Sequence, residues 1–238
     1  ISGETKVNAH NIERIEANCQ GKTTIRFVTM GDSQRWYDET EDFVKEINKR
    51  NDIDFVIHGG DMSDFGLTKE FLWQRDIMNG LNVPYVVLIG NHDCLGTGAE
   101  TYKAVFGPTN FSFIAGNVKF VCLNTNALEY DYSEPVPNFT FMEQEITSRL
   151  DEFEKTVISM HARPYTDVFN DNVAKVFQHY IRQYPGIQVC TAAHTHHYQD
   201  DVIFDDGIHY VTSDCMDYRT YLVFTITPEK YEYELVKY

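Results

Sequence analysis

Five short apolar runs recur along the chain, and polar residues follow each run directly. The runs are rich in β-branched and aromatic side chains, which predicts β-strands. They cover residues 26–30, 54–58, 85–89, 156–160 and 187–191. Polar groups that follow the strands of an open α/β sheet converge beyond the carboxyl edge of that sheet. The five endings therefore predict one shared polar site.

Helical periodicity appears between the predicted strands. Residues 38–50 place Phe43 and Ile47 four positions apart with charged residues on the other face, which predicts a surface helix. A second predicted helix has Thr68 as its N-cap, and a third starts with a capping box in which Thr140 pairs with Glu143. These two helices span residues 68–79 and 140–150, and a fourth helix is predicted at residues 171–184.

Hairpin signals complete the pattern. Apolar runs flank a Gly-containing turn at residues 115–117, which predicts two antiparallel strands. Later runs predict a meander of antiparallel strands at 201–204, 209–212, 221–226 and 231–236. The mixture of βα units and hairpins indicates an α/β fold with two stacked sheets and helices outside. We interpret residues 1–238 as one domain, with residues 1–22 as a polar N-terminal extension.

The composition argues against several classes of protein. Asp and Glu number 36 against 20 Lys and Arg, a formal net charge of −16, so a nucleic-acid partner is not expected. No run approaches the ~20 apolar residues of a membrane-spanning helix, and no transmembrane segment is predicted. The five cysteines show no paired spacing, which argues against a disulfide framework. The composition fixes no oligomeric state.

The chain opens at Ile1 with polar residues, which predicts that a leader has been removed. Export, either to a periplasm or by secretion, is one alternative for its location. Residence in the cytoplasm is the other.

The residues after the five strands are types that bind divalent metal ions. A two-metal site that holds a phosphoryl group needs a bridging carboxylate, and Asp32 and Asp61 follow two separate strands. Amide and imidazole ligands add no charge, and Gln34, Asn91 and the histidines are of these types. Two ions with two carboxylates would leave a net charge of about +2, which suits a phosphate dianion.

Five motifs carry a family resemblance. In chain order they are Gly31-Asp32-Ser33-Gln34, Gly60-Asp61-Met62-Ser63-Asp64, Gly90-Asn91-His92-Asp93, Met160-His161 and Ala193-His194-Thr195-His196. This series resembles the ordered motifs of the calcineurin-like metallophosphoesterases, and the match runs from Asp32 to His196. The resemblance implies a four-layer α/β/β/α sandwich of two mixed sheets flanked by helices.

The resemblance also implies the role of each motif residue. A first metal ion would be held by Asp32, Gln34, Asp61 and His196, and a second by Asp61, Asn91, His161 and His194. In this scheme Asp61 bridges the ions, and a hydroxide between them attacks phosphorus in line. His92 would protonate the leaving oxygen, and Asp93 would orient its imidazole.

One position departs from the family pattern. The first motif of the family usually has His where this chain has Gln34. A carboxamide oxygen is a harder and weaker donor than imidazole, so the first site should favour Mn, Mg or Fe over Zn. Two divalent ions are therefore expected as cofactors, with Mn favoured. Because a branch of the family has Gln here, loss of activity does not follow.

The resulting interpretation is a dinuclear-metal-dependent hydrolase of a small phosphorylated substrate, with phosphomonoesters favoured. One alternative is a phosphodiesterase acting on a small molecule or a cyclic nucleotide. Another, of a different class, is a noncatalytic binding or scaffold protein on the same fold, which Gln34 makes conceivable. The presence of every other ligand together with His92 favours an enzyme, because buried polar groups are costly to keep without a function.

Overall fold

The computed structural model describes residues 1–127 and 134–238. The strands are β1 Ile25–Met30, β2 Phe55–His58, β3 Tyr85–Val87, β4 Phe111–Ala115, β5 Val118–Leu123, β6 Lys155–Met160, β7 Ile187–Ala192, β8 Gln199–Asp201, β9 Tyr210–Thr212, β10 Thr220–Ile226 and β11 Tyr231–Lys237. The helices are α1 Val7–Cys19, α2 Tyr37–Asn48, α3 Thr68–Met78, α4 Gly98–Val105, α5 Phe139–Thr147 and α6 Ala174–Ile181. None of the helices in the described part of the chain has the length and apolar character needed to cross a bilayer.

The strands form two mixed sheets, as expected. In the described residues, one sheet has five strands in the order β11-β10-β1-β2-β3, and the other has six in the order β4-β5-β6-β7-β9-β8. Strands β1, β2 and β3 are parallel, and so are β5, β6, β7 and β9. Parallel neighbours bring their carboxyl ends, and the loops that follow, to the same edge of each sheet.

Aromatic side chains join the two sheets face to face. Phe27 and Phe55 of the first sheet pack edge-on against Phe120 of the second, with ring centroids 4.9 and 5.1 Å apart. All three rings are fully buried, and such pairs contribute about 0.5–1.5 kcal/mol each beyond their buried area. This cluster forms a rigid core between the sheets.

The outer face of each sheet is covered by helices. Strand residues alternate between faces, so Phe27 points to the core between the sheets while Val28 packs with Phe43 and Ile47 of α2. On the other sheet, Ile158 packs with Phe177 of α6. The α/β/β/α order of layers is confirmed.

The N-terminal segment differs from its prediction as a polar extension. Residues Val7, Ile15 and Cys19 of α1 are fully buried, and α1 contacts β3 and β4. The Asn8 side chain accepts from the Val87 amide and donates to the Val87 carbonyl, both at 2.9 Å. Helix α1 therefore covers the exposed edge of β3, which would otherwise present unpaired backbone groups. Because this segment has few apolar positions, its sequence did not predict the helix.

Two predicted helix caps are wrong. Helix α3 has Leu67 rather than Thr68 as its N-cap, and the Glu70 carboxylate accepts the Leu67 amide at 3.1 Å. Helix α5 begins after Asn138, whose side-chain oxygen accepts the Phe141 amide at 3.0 Å, so no Thr140–Glu143 box is needed there. In α3 the bonded amide is that of the N-cap residue itself, whereas in α5 the N-cap side chain satisfies a free amide group of the first turn.

The predicted C-terminal meander is also wrong. Strands β8 and β9 pair in the six-stranded sheet, whereas β10 and β11 pair in the five-stranded sheet. The chain crosses between the sheets through a short 3₁₀ turn at Met216–Tyr218. Alternating apolar residues predict a strand but do not identify the neighbour with which it pairs.

Candidate metal centre

The five predicted strand endings meet at one end of the sandwich that the two stacked sheets form. Asp32, Asp61 and Asn91 follow the parallel strands β1, β2 and β3 of one sheet, and His161 and His194 follow β6 and β7 of the other. Because each sheet presents its carboxyl edge here, loops distant in sequence come into contact. The site lies across the junction of the sheets.

One group of contacts surrounds Asp32 and Asp61, which are both buried. Gln34 Nε2 lies 3.3 Å from Asp61 Oδ2, and His196 Nε2 lies 3.5 Å from Asp32 Oδ1. Oxygen or nitrogen atoms of Asp32, Asp61 and His196 lie within 4.8 Å of one another, a spacing that could hold one ion. These are the residues expected around the first ion.

A second group of contacts converges on Asn91. Its Oδ1 atom lies 3.1 Å from His161 Nε2 and 3.0 Å from His194 Nδ1. His161 Nε2 also lies 3.4 Å from Asp61 Oδ2, and potential ligand atoms of Asp61, His161 and His194 lie within 4.8 Å of one another. Asp61 therefore belongs to both groups. The structure brings together all seven side chains predicted as ligands.

Most of these residues have strained backbones. Positive φ angles occur at Asp32 (49°), Gln34 (22°), Asp61 (56°), His194 (75°) and His196 (64°). The left-handed region costs a residue with a β-carbon about 1–2 kcal/mol. Strain concentrated in this way marks functional sites, because only a supporting structure keeps it in place.

Two glycines make room for Asp61 and its neighbours. A β-carbon on Gly90 would lie 2.1 Å from Asp61 Oδ1, and one on Gly60 would lie 2.7 Å from His161 Nδ1. Gly60 also has a φ of 101°, which residues with a β-carbon rarely adopt. The glycines of these two motifs thus serve the close approach of the loops.

The site carries an excess of negative charge. Burial opposes protonation of His161, but the charge of Asp61 and its contact with the imidazole raise the pKa of His161 to about 9. The Asp32 carboxylate, whose Oδ1 atom lies 3.5 Å from His196 Nε2, raises the pKa of His196 to about 10. The two histidines would therefore hold protons at neutral pH in place of other cations.

Two buried oxygen atoms fit a bound cation. Gln34 Oε1 has no hydrogen-bond donor within the described residues, and Asp32 Oδ1 has only the distant His196 nitrogen. A buried acceptor without a partner costs about 1–3 kcal/mol, which a cation would offset. Ligands bound ~2.1 Å from one ion at right angles lie ~3.0 Å apart, close to the spacings around Asn91. The residues present fit divalent ions, and their oxygen and imidazole donors suit Mn, Mg, Fe or Zn.

His92 lies beside this group. Its backbone amide donates to Asp61 Oδ1 at 2.9 Å, and its Nδ1 atom lies 2.8 Å from the Asp64 carbonyl oxygen. The imidazole is one-third exposed, at 34% of its side-chain area. A neutral His92 would thus carry its proton on Nδ1, so Nε2 is left to exchange a proton with a bound molecule. Arg35 pairs with the Asp64 carboxylate at 2.6 Å.

Asp93 does not orient His92 in the expected way. Its buried carboxylate accepts the Ser63 amide at 2.8 Å, the Ser63 hydroxyl at 2.9 Å and the Gly90 amide at 2.9 Å. Burial and the nearby charge of Asp61 raise the pKa of Asp93 to about 6. Asp93 joins the loop after β2 to the loop after β3, and the Asp64 carbonyl takes the predicted role beside the His92 ring.

His58 supports the site, a role that little in the sequence indicates. This residue is fully buried; its Nε2 lies 2.8 Å from Ser33 Oγ, and its Nδ1 accepts the Gly60 amide at 3.1 Å. Burial and the nearby His161 lower its pKa to about 3, so it stays neutral. His58 thus bonds to Ser33 of the first motif and to Gly60 of the second. Its place at the end of β2 was the only signal.

Residues beside the motifs have different surroundings. Trp36 packs edge-on against His196, with ring centroids 5.7 Å apart. Arg163, two positions after His161, instead donates to the Asp201 carboxylate at 2.9 Å. Asp167, which no motif includes, lies 2.5 Å from His194 Nε2 through its Oδ1 atom. The sequence offered no signal for this contact.

Comparison with known proteins identifies a matching family and several similar folds. A family model described as "Calcineurin-like phosphoesterase" matches residues 25–198. No curated protein sequence matches the chain. A dimetal phosphatase from Danio rerio has a similar structure, with a TM-score of 0.69 and 12% identity over 90% of this chain and 97% of that one.

Two further solved structures are similar. One is GAP50, described as the anchor in the inner membrane complex of Plasmodium, with a TM-score of 0.67, 11% identity, and coverage of 91% of this chain and 85% of that one. The other is a purple acid phosphatase from yellow lupin (Lupinus luteus) seeds, with a TM-score of 0.66, 15% identity, and coverage of 92% and 52%. At such identities the likeness shows the fold alone.

We predict that divalent cations bind to this site in exchange for protons. A protonated imidazole cannot bind a metal, and His161 and His196 hold protons below pH values of about 9 and about 10. Affinity for Mn²⁺ should therefore rise from pH 6.5 to pH 8.5, with about one proton released per ion. Calorimetric titration of metal-free protein in buffers with different ionisation enthalpies measures the release. The exposed His179→Asn variant is the control, and heats that do not depend on the buffer would contradict the prediction.

Proposed function

The chain belongs to the calcineurin-like phosphoesterase family, and we propose that it is a metal-dependent hydrolase of phosphoric esters. The observation that carries the proposal is the convergence of seven ligand-type side chains from five loops, with Asp61 in contact with Gln34 on one side and His161 on the other. Unpaired buried acceptors and protonated histidines at the same place support a requirement for cations.

We assign the ligands to two ions. Asp32, Gln34, Asp61 and His196 would hold the first, and Asp61, Asn91, His161 and His194 the second. Two divalent ions supply positive charge for a phosphoryl group and lower the pKa of a water molecule. Two carboxylates leave a net charge of about +2, so a small phosphomonoester dianion is the favoured substrate.

His92 is the proposed general acid. Its backbone is fixed by the bond to Asp61, and its Nδ1–H is directed at the Asp64 carbonyl, which sets the plane of the imidazole. A protonated His92 would give the proton on Nε2 to the oxygen that leaves phosphorus. Asp93 acts at a distance, because it fixes the loops that hold Asp61 and His92.

Two alternatives differ in their observable consequences. A diesterase acting on a small molecule or cyclic nucleotide would hydrolyse bis-nitrophenyl phosphate faster than nitrophenyl phosphate. A noncatalytic binding or scaffold protein would hydrolyse neither, and GAP50, an anchor by its description, has a similar fold. We favour an enzyme because the unpaired Asp32 and Gln34 oxygens and the strained ligand backbones cost stability without serving a scaffold.

The central test joins metal content to turnover. Protein purified without chelator should contain roughly two divalent ions per chain and hydrolyse nitrophenyl phosphate, with stimulation by Mn²⁺. Asp61→Asn should lower kcat/KM by about a thousandfold or more, because both ion sites lose a ligand charge. The exposed Asp151→Asn variant is the control. Folded protein that takes up no metal and stays inert with excess Mn²⁺ would overturn the proposal.

The role of His92 predicts a dependence on the leaving group. His92→Ala should slow an alkyl phosphate by about 10²–10⁴-fold, because an alkoxide needs a proton as it departs. Nitrophenyl phosphate, whose leaving group is stable as an anion, should lose much less. Values of kcat/KM for both substrates measure the difference, with His179→Ala as control. Equal losses on the two substrates would contradict a role as general acid.

Gln34 predicts the preference for metals. We propose that its carboxamide lowers affinity at the first site and favours Mn²⁺ over Zn²⁺ without abolishing catalysis. Gln34→His should tighten Zn²⁺ binding at that site by about tenfold or more, because imidazole is a better ligand for zinc. Competitive titration with Mn²⁺ and Zn²⁺ measures the change. An unaltered order of affinities would show that position 34 does not set the preference.

A further inference from the structure

Asp167 contacts a proposed ligand from outside every motif. Its Oδ1 atom lies 2.5 Å from His194 Nε2, which is within hydrogen-bond distance. The other nitrogen of the same ring, Nδ1, lies 3.0 Å from Asn91 Oδ1. The imidazole of His194 is therefore held on both sides, with the carboxylate on the side away from Asn91.

The loop that carries Asp167 is well anchored. The side chain of Asp167 is 84% exposed, but the next two residues, Val168 and Phe169, are buried. The Val168 carbonyl accepts the Ala127 amide at 2.9 Å, and the Phe169 amide donates to the Thr166 carbonyl at 3.1 Å. An exposed carboxylate on such a loop has a defined position, unlike most acids at the surface.

His161, the other histidine of the same ion site, shows what such a contact does. Its Nδ1 lies 2.8 Å from the Gly59 carbonyl oxygen, which can only accept a hydrogen bond. A ring that has lost a proton to bind a cation would thus keep its proton on Nδ1, and Nε2, the nitrogen that faces Asn91, would be free for the ion. For His194 the two nitrogens exchange roles, because Nδ1 faces Asn91 and Nε2 faces the acceptor.

We propose that Asp167 is a positioning residue for the second ion site, where it accepts the Nε2–H of His194 and keeps Nδ1 as the nitrogen that binds the cation. Partners of this kind fix the orientation and tautomer of a metal-binding histidine. The requirement is greater at His194 than at His161, because His194 has a φ of 75° and a partly exposed ring. The inference rests on the proposed function for the identity of the site.

Metal affinity and tautomer together test the inference. Asp167→Ala should weaken Mn²⁺ binding at the second site by about tenfold and leave the first site within about twofold. Asp167→Asn, which retains an acceptor oxygen, should recover part of the loss. Asp217→Asn is the matched control. Asp217 is also an exposed acid near the site, because the next residue, Tyr218, packs against His197. Two-site calorimetric titration of metal-free protein gives both affinities.

A second readout needs neither metal nor turnover. In metal-free protein, ¹⁵N NMR of the histidine rings should show neutral His194 protonated on Nε2 in the wild type and in Asp217→Asn. Asp167→Ala should shift it toward a mixture of tautomers. An unchanged tautomer, an unchanged second-site affinity, or equal weakening of both sites would overturn the inference.

Failure of this inference is distinguishable from failure of the proposed function. A chain that binds Mn²⁺ with the predicted dependence on Asp167 but hydrolyses no phosphoric ester would support the positioning role and refute the hydrolase. A chain that hydrolyses esters, with an Asp167→Ala variant of unchanged affinity and tautomer, would refute the positioning role and support the hydrolase.

Discussion

The buried carboxylate of Asp61 is the contact point for the loops at this end of the molecule. It touches Gln34 and His161, accepts the backbone amide of His92, and lies against Gly90, where a side chain would collide with it. A buried carboxylate is costly unless charge and hydrogen bonds compensate it. The Gln34, His161 and His92 contacts compensate part of the charge of Asp61. The negative charge that is left makes the site suited to cations.

The packing of the two sheets gives that arrangement its rigidity. Phe27, Phe55 and Phe120 pack one sheet against the other, and the loops after β2 and β6 extend from these packed sheets. Close packing resists small shifts, and this stability offsets the strain of several left-handed residues in the loops. The core between the sheets thus supports the loops that form the site.

Hydrogen-bond acceptors outside the site direct the ring nitrogens within it. The Gly59 carbonyl faces His161, the Asp64 carbonyl faces His92, and the Asp167 carboxylate faces His194. Each contact favours one nitrogen for the proton and would leave the other for a bound ion or substrate. Similar folds carry a dimetal phosphatase and an anchor protein by their descriptions, so function depends on such details of the site rather than on the fold.

The local pattern of the sequence was sufficient to predict most of the strands, the order of the motifs and the seven side chains that come together. Each of those features depends on residues adjacent in the chain, such as an apolar run followed by Gly-Asp or Gly-Asn. Tertiary structure alone decided that Asp64 rather than Asp93 faces the His92 ring, that α1 covers the edge of β3, and that β9 and β10 lie in different sheets. It also decided that Asp167 meets His194. These contacts join residues whose approach is set by backbone angles and sheet packing, which no short stretch of sequence encodes.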